Sequence, residues 1–194
     1  MERRDYDYYE SNVADINLRQ ITSCEGNAEK IRRLLGGDDT LRHLTLGTCA
    51  GSGKNYFHIG EGDDLGWLGY FIGRSVKIQH LDICHFPEGR QQIDVFFDGL
   101  ARNQSIRSLS SHQLGDYGST ALFRVLGNLS QLEGLFFRGS NLTRNGCFAL
   151  GTLLESGVCK LKKLLFDTNN IGDDGVAALA SGLRSIGPSL KTLG

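Results

Sequence analysis

The sequence predicts an α/β solenoid, with a curved parallel sheet inside, helices outside, and about six repeats plus the start of a seventh. Three observations predict it. An apolar pattern of the form L-x-x-L-x-L, or a close variant, opens at residues 13, 41, 78, 106, 132, 161 and 190, so that successive starts lie 28, 37, 28, 26, 29 and 29 residues apart. An apolar pair at helical spacing precedes each later start in fixed phase: Ile31 and Leu35, Leu68 and Ile72, Phe96 and Leu100, Leu122 and Leu126, Leu150 and Leu154, Leu179 and Leu183. A turn recurs as LGDYG at Leu114–Gly118, LTRNG at Leu142–Gly146 and IGDDG at Ile171–Gly175. A strand-plus-helix unit has one apolar edge that it cannot bury alone, so it needs a neighbour of its own kind on each side. An isolated β-α unit in a layered domain would show no such period.

The stretch Leu161 to Leu183 carries the unit most completely. Leu161, Leu164 and Phe166 end in the alternation of a short strand with one buried face. Ile171 turns the chain inward, and Gly172, Asp173, Asp174 and Gly175 are turn and helix-start residues. Val176, Leu179 and Leu183 then sit at helical spacing among helix-favouring alanines. Earlier strands are predicted at Val13, Ile16 and Leu18; Leu41, Leu44 and Leu46; Ile78, Leu81 and Ile83; Ile106, Leu109 and Ser111; Leu132, Leu135 and Phe137; Leu190 and Leu193 open the last. Residues 1–12 read as a polar tail or cap, and residues 13–194 as the repeat domain. The second repeat is longer than the rest while its helix stays in phase. The excess therefore falls between Gly47 and Asp64, as a flexible excursion at the rim with Lys54, Tyr56, Phe57 and His58 as its binding part. In the helix that follows, Gly66, Gly69 and Gly73 each cost about 1 kcal/mol against alanine.

From Val13 to Gly194 these residues resemble leucine-rich repeats of the ribonuclease-inhibitor-like class, which also occur in Ran GTPase-activating proteins and in the sensor ends of NOD-like receptors. The resemblance implies that Asn169 hydrogen-bonds backbone groups at the bend after its strand. Cys49 is the accepted substitute in the second repeat, while Ile21, Phe86 and Ser140 hold that place in the first, third and fifth. It also implies a surface that holds a macromolecular partner, foremost a non-catalytic protein-interaction scaffold; a regulator of a small GTPase is the alternative.

A net charge of −1 argues against a nucleic-acid binder, and no run is long and apolar enough to span a membrane. The opening MERRDYDYYE has no apolar core, and five scattered cysteines lack CxxC spacing, which favours a reducing, cytoplasmic setting. Without a secretion signal, the N-x-S/T triplets at Asn103, Asn128 and Asn141 read as chance. The chain stops at Leu193-Gly194 inside a strand pattern, so that edge is expected to be continued or covered by further chain.

In such strands the residues between the buried ones face the hollow. They form columns: His43, His80, Ser108, Gly134, Lys163 and Thr192; then Thr45, Asp82, Ser110, Phe136 and Leu165; then Gly47, Cys84, His112, Arg138 and Asp167. The late part, with Phe136 and Leu165 beside Arg138, Lys163 and Asp167, is the expected partner surface, since aromatic and Arg anchors dominate binding. The early part, with His43, His80, Asp82, Cys84 and His112, has zinc-type ligands but only at the repeat's own spacing, so no metal or cofactor is assigned. Gly51-Ser52-Gly53-Lys54 is similar to a phosphate-binding loop, but Thr48 stands at its first glycine and Asn55 at its hydroxyl position. No Ser-His-Asp order, carboxylate pair or H-E-x-x-H points to an enzyme.

Overall fold

The computed structural model describes residues 4–48, 53–86, 90–158 and 160–194. Cys49, Gly51 and Ser52, named above for the bend and the phosphate-type loop, lie outside them. Seven strands form a single parallel sheet: β1 (His43–Gly47), β2 (Tyr56–His58), β3 (His80–Cys84), β4 (Ser108–His112), β5 (Gly134–Phe136), β6 (Lys163–Leu165) and β7 (Thr192–Leu193), in the order β2-β1-β3-β4-β5-β6-β7. The helices are α1 (Tyr6–Asn12), α2 (Glu25–Leu35), α3 (Leu65–Arg74), α4 (Arg90–Leu100), α5 (Gly115–Leu126), α6 (Arg144–Glu155) and α7 (Gly172–Ile186). From β1 onward each strand is paired with the next repeat's strand, as a leucine-rich-repeat solenoid requires.

The core is the predicted one. Leu44, Leu81, Leu109, Leu135 and Leu164 are fully buried and adjacent in register, as are the helix anchors Leu68, Ile72, Phe96, Leu100, Leu122, Leu150 and Leu154. Two anchors differ. On α2 the buried partner of Ile31 is Leu34, and Leu35 is exposed. On α7, Val176 is exposed because the described chain places no further helix against it.

The first repeat departs from its prediction. Val13, Ile16 and Leu18 form no strand; residues Val13–Asp15 and Leu18–Gln20 are 3-10 turns instead. The missing rung is filled from the region expected to be a flexible excursion. After β1 the chain doubles back and lays β2 parallel against it, pairing Thr45 with Tyr56, Leu46 with Phe57 and Gly47 with His58. Phe57 is accordingly a core residue, 1% exposed, and not a rim contact. The cause is that an L-x-x-L-x-L pattern needs a neighbour to bury its face, and Phe57 and Ile59 complete that face better than Val13 and Leu18, which stay only partly buried.

A side chain closes the outer edge of β2. Asn27 of α2, 1% exposed, donates to the His58 carbonyl (2.6 Å) and to Thr22 Oγ1 (3.1 Å), and accepts from the His58 amide (3.2 Å). The edge strand thus finds its hydrogen bonds in an amide rather than in another strand. The helix α1 packs on α3 and α4. Tyr9 is buried with its ring edge-on to Trp67 at 4.9 Å, Tyr6 lies 5.2 Å from Tyr70, and Glu10 accepts from Arg74 (2.7 Å) and Tyr70 (3.0 Å). Arg4 reaches Asp64 (3.0 Å), the N-cap of α3 that itself accepts from the amides of Gly66 and Trp67.

The glycines of α3 have a packing reason that outweighs their helix cost. A Cβ on Gly69 would stand 2.3 Å from the Phe96 carbonyl oxygen, and one on Gly73 2.2 Å from that of Gly99. Gly99 in turn abuts Gly69. The two helices meet backbone to backbone. The same device recurs between α6 and α7, where Gly151 and Gly182 face each other.

Candidate functional site

The strand register builds the hollow column by column. His43, His80, Ser108, Gly134, Lys163 and Thr192 are successive partners, and so are Thr45, Asp82, Ser110, Phe136 and Leu165. Gly47, Cys84 and His112 align in the third column. Neighbouring rungs stand about 4.8 Å apart, so each column is a nearly continuous stripe of side chains.

The early stripe is polar. Asp82 and His43 share a hydrogen bond of 2.6 Å at Nε2, and the Thr45 hydroxyl lies 3.4 Å from the same nitrogen. The His80 ring stands 6.2 Å from that of His43. Among the described residues no three His, Cys, Asp or Glu side chains gather as a metal would need. Tyr56, from the borrowed strand, fills the space above Gly47: a Cβ there would meet the Tyr56 hydroxyl at 2.7 Å. Of the other rim residues, Lys54 is exposed in the turn before β2, and His58 is exposed with both its backbone groups held by Asn27.

The late stripe is mixed. Phe136 is half-buried, its ring folded back over Gly134, where a Cβ would approach the ring to 2.8 Å. A glycine beside an aromatic on a neighbouring strand position gives that ring its seat. Leu165 is likewise half-buried beside it, and Lys163 is exposed on the same face. Arg138 and Asp167 pair with each other at 2.9 Å, both largely exposed. An exposed pair of this kind contributes little to stability. It links the turn after β5 to the turn after β6.

The bend of the sixth repeat forms as the family resemblance implied. The Asn169 amide donates to the carbonyls of Phe137 and Phe166, and its oxygen accepts from the Leu142 amide (3.0 Å). In the fifth repeat Ser140, fully buried, makes a smaller version of this contact, donating to the Ser111 carbonyl (2.6 Å). Sequence reasoning missed two buried amides. Asn27 is one. The other is Asn103, fully buried, which donates to the carbonyls of Ile72 (2.7 Å) and Ser75 (2.9 Å) and accepts from the amides of Ser105 and Ile106 (both 2.8 Å). Its glycosylation-type triplet hid a helix-end clamp; a polar residue at the start of the Asn103–Ile106 turn into a strand was the available signal.

A solved structure of similar fold is the tropomodulin C-terminal domain of Caenorhabditis elegans. It is 10% identical, with a TM-score of 0.55 over 83% of this chain and 93% of that one. At that identity the likeness shows the fold alone, an α/β repeat solenoid. No family model matches the sequence, and no curated protein matches it. No helix among the described residues is long and apolar enough to cross a membrane.

Proposed function

We propose that this protein is a non-catalytic scaffold that binds a protein partner on the concave face of its sheet. The observation that carries this reading is the late stripe: Phe136, Leu165 and Lys163 share one face of adjacent rungs, beside an Arg138 paired with Asp167. A preformed surface costs little ordering on binding, and a few anchors of this type supply most of an affinity. The repeats fit the ribonuclease-inhibitor-like class, supported by repeat lengths of 28 and 29 residues and by a full helix on each outer side. A cytoplasmic setting is in keeping with the scattered cysteines.

Partner capture with the purified chain, followed by the Phe136→Ala plus Arg138→Ala double variant, tests the reading. Both side chains stand at the surface or half-buried, so the fold survives their loss. Capture should fall at least about tenfold, as for two anchor residues. Unchanged capture by a folded double variant would remove this face as the binding surface.

A further inference from the structure

The repeat that aligns the hollow also aligns the residue just before each strand. The amides of Gln79, Arg107, Glu133, Lys162 and Lys191 bond the carbonyls of Arg42, Gln79, Arg107, Glu133 and Lys162 in turn, so these side chains form a row along the lip where the strands begin. From the fourth strand onward the row and its flanks hold five cations, Arg107, Lys160, Lys162, Lys163 and Lys191, and one carboxylate, Glu133. Glu133 accepts from Lys162 at 2.7 Å and lies 3.9 Å from the Arg107 guanidinium. The Lys162 ammonium, with Arg107 and Lys191 behind it, holds the Glu133 carboxyl below its usual range. Lys160, Lys163 and Lys191 are exposed and make no ion pair among the described residues.

Five positive charges against one negative leave an excess of four in the turns that lead into β4–β7, in a chain whose net charge is −1; Glu155, the last residue of α6, lies at the same end. The opposite lip, where strands end and α5, α6 and α7 begin, has Asp116, Asp167, Asp173 and Asp174 against Arg138 and Arg144. Carboxylates are favoured near helix N-termini and cations near helix C-termini. Asp116, Asp173 and Asp174 follow the first preference, whereas the cations of the basic lip stand in the turns that lead into the strands.

We infer that the basic lip docks an acidic, extended segment of a protein partner, with one apolar side chain of that segment seated on Phe136 and Leu165. This rests on the concave-face reading above and adds the charge of the partner. The row from Arg107 to Lys191 crosses four rungs, three spacings or about 14 Å, which four or five residues of extended chain span. Glu133 inside the row and the acidic lip across the hollow disfavour a continuous polyphosphate. A short acidic segment with a neutral or basic residue opposite Glu133 meets neither penalty.

The probe is a fluorescein-labelled ten-residue peptide of Asp and Glu with one central Leu. It is titrated with the full chain by anisotropy at about 50 and 300 mM NaCl, against a Leu→Ser version, an all-Lys peptide and a ten-nucleotide thymidine strand. Saturable binding of the acidic peptide is expected. It should weaken about tenfold or more in the Lys160→Glu plus Lys191→Glu variant, weaken with salt, and weaken several-fold in the Leu→Ser peptide. Circular dichroism and Trp67 emission report that the variant is folded. No saturable binding up to millimolar protein, no effect of the double reversal, or tighter binding of the thymidine strand would each overturn the inference. If the reversal leaves capture of the native partner intact while Phe136→Ala plus Arg138→Ala abolishes it, the lip fails and the concave-face reading stands. If the reverse holds, the concave-face reading fails.

Discussion

The first and last described rungs of this solenoid differ in what lies against them. Each end of a repeat stack leaves a strand edge and an apolar flank without a neighbour. At the N-terminal end the strand edge is closed by Asn27 and the rung is completed by Phe57 and Ile59. At the other end β7 is two residues long, Leu193 is 52% exposed and Val176 55%. The repeat pattern thus fixes what must be covered, while the cover at the first rung is made of unrelated parts: a borrowed strand and an amide.

Substitution at matched positions of the two ends gives the largest contrast. Leu44→Ala, at the fully buried position of β1 that stands in register with Leu193, should lower unfolding free energy by about 2–5 kcal/mol in denaturant titration. Leu193→Ala should change it by about 0.5 kcal/mol or less. Equal losses would mean that the last rung is as well covered as the first. Next in size is Gly69→Ala. Its new methyl meets backbone rather than a yielding side chain, so about 1–3 kcal/mol should be lost despite alanine's better helix propensity. A gain would show that α3 and α4 do not touch there.

Asn27→Ala leaves the carbonyl and amide of His58 without their partner and should cost about 1–3 kcal/mol. A small effect of opposite sign belongs to the other half of the molecule. His85, Gln113, Gly139 and Thr168, each just past its strand position, share a left-handed backbone with φ between 55 and 61°. Only one of the four is glycine, and Thr168 is β-branched, the costliest type there. Thr168→Gly should therefore raise thermal stability, by about 1 kcal/mol. A loss would indicate that the side chain makes contacts worth more than the strain.

How much of this was legible in the sequence follows from what periodicity reports. It reports which side chains face inward, so the sheet register and both complete columns of the hollow could be read residue by residue from Leu44, Leu81, Leu109, Leu135 and Leu164. It does not report which segment supplies a rung. Val13, Ile16 and Leu18 matched the pattern as well as any other set, yet the strand came from Tyr56–His58, because burial of Phe57 and Ile59 wins in three dimensions. Periodicity is equally silent on small residues. Gly69, Gly73 and Gly99 carried only a helix penalty until the facing helix was placed against them. Pairing also altered the site: Arg138 and Asp167 were separate surface charges in the sequence and are one ion pair in the fold. The basic lip was available all along, as the cations Arg42, Arg107, Lys162 and Lys191 at one repeat position.

Amide hydrogen exchange at His58 and Ile59 tests most directly the claim that β2 is the first rung of the sheet. The His58 amide donates to Asn27 and the Ile59 amide to the Gly47 carbonyl (2.8 Å). Both should exchange far more slowly than an unfolded chain, within reach of the amides of β3, and Asn27→Ala should release His58 first. Exchange of both at unfolded-chain rates in the unaltered protein would contradict the account, and would return the segment to the open excursion that its length alone suggested.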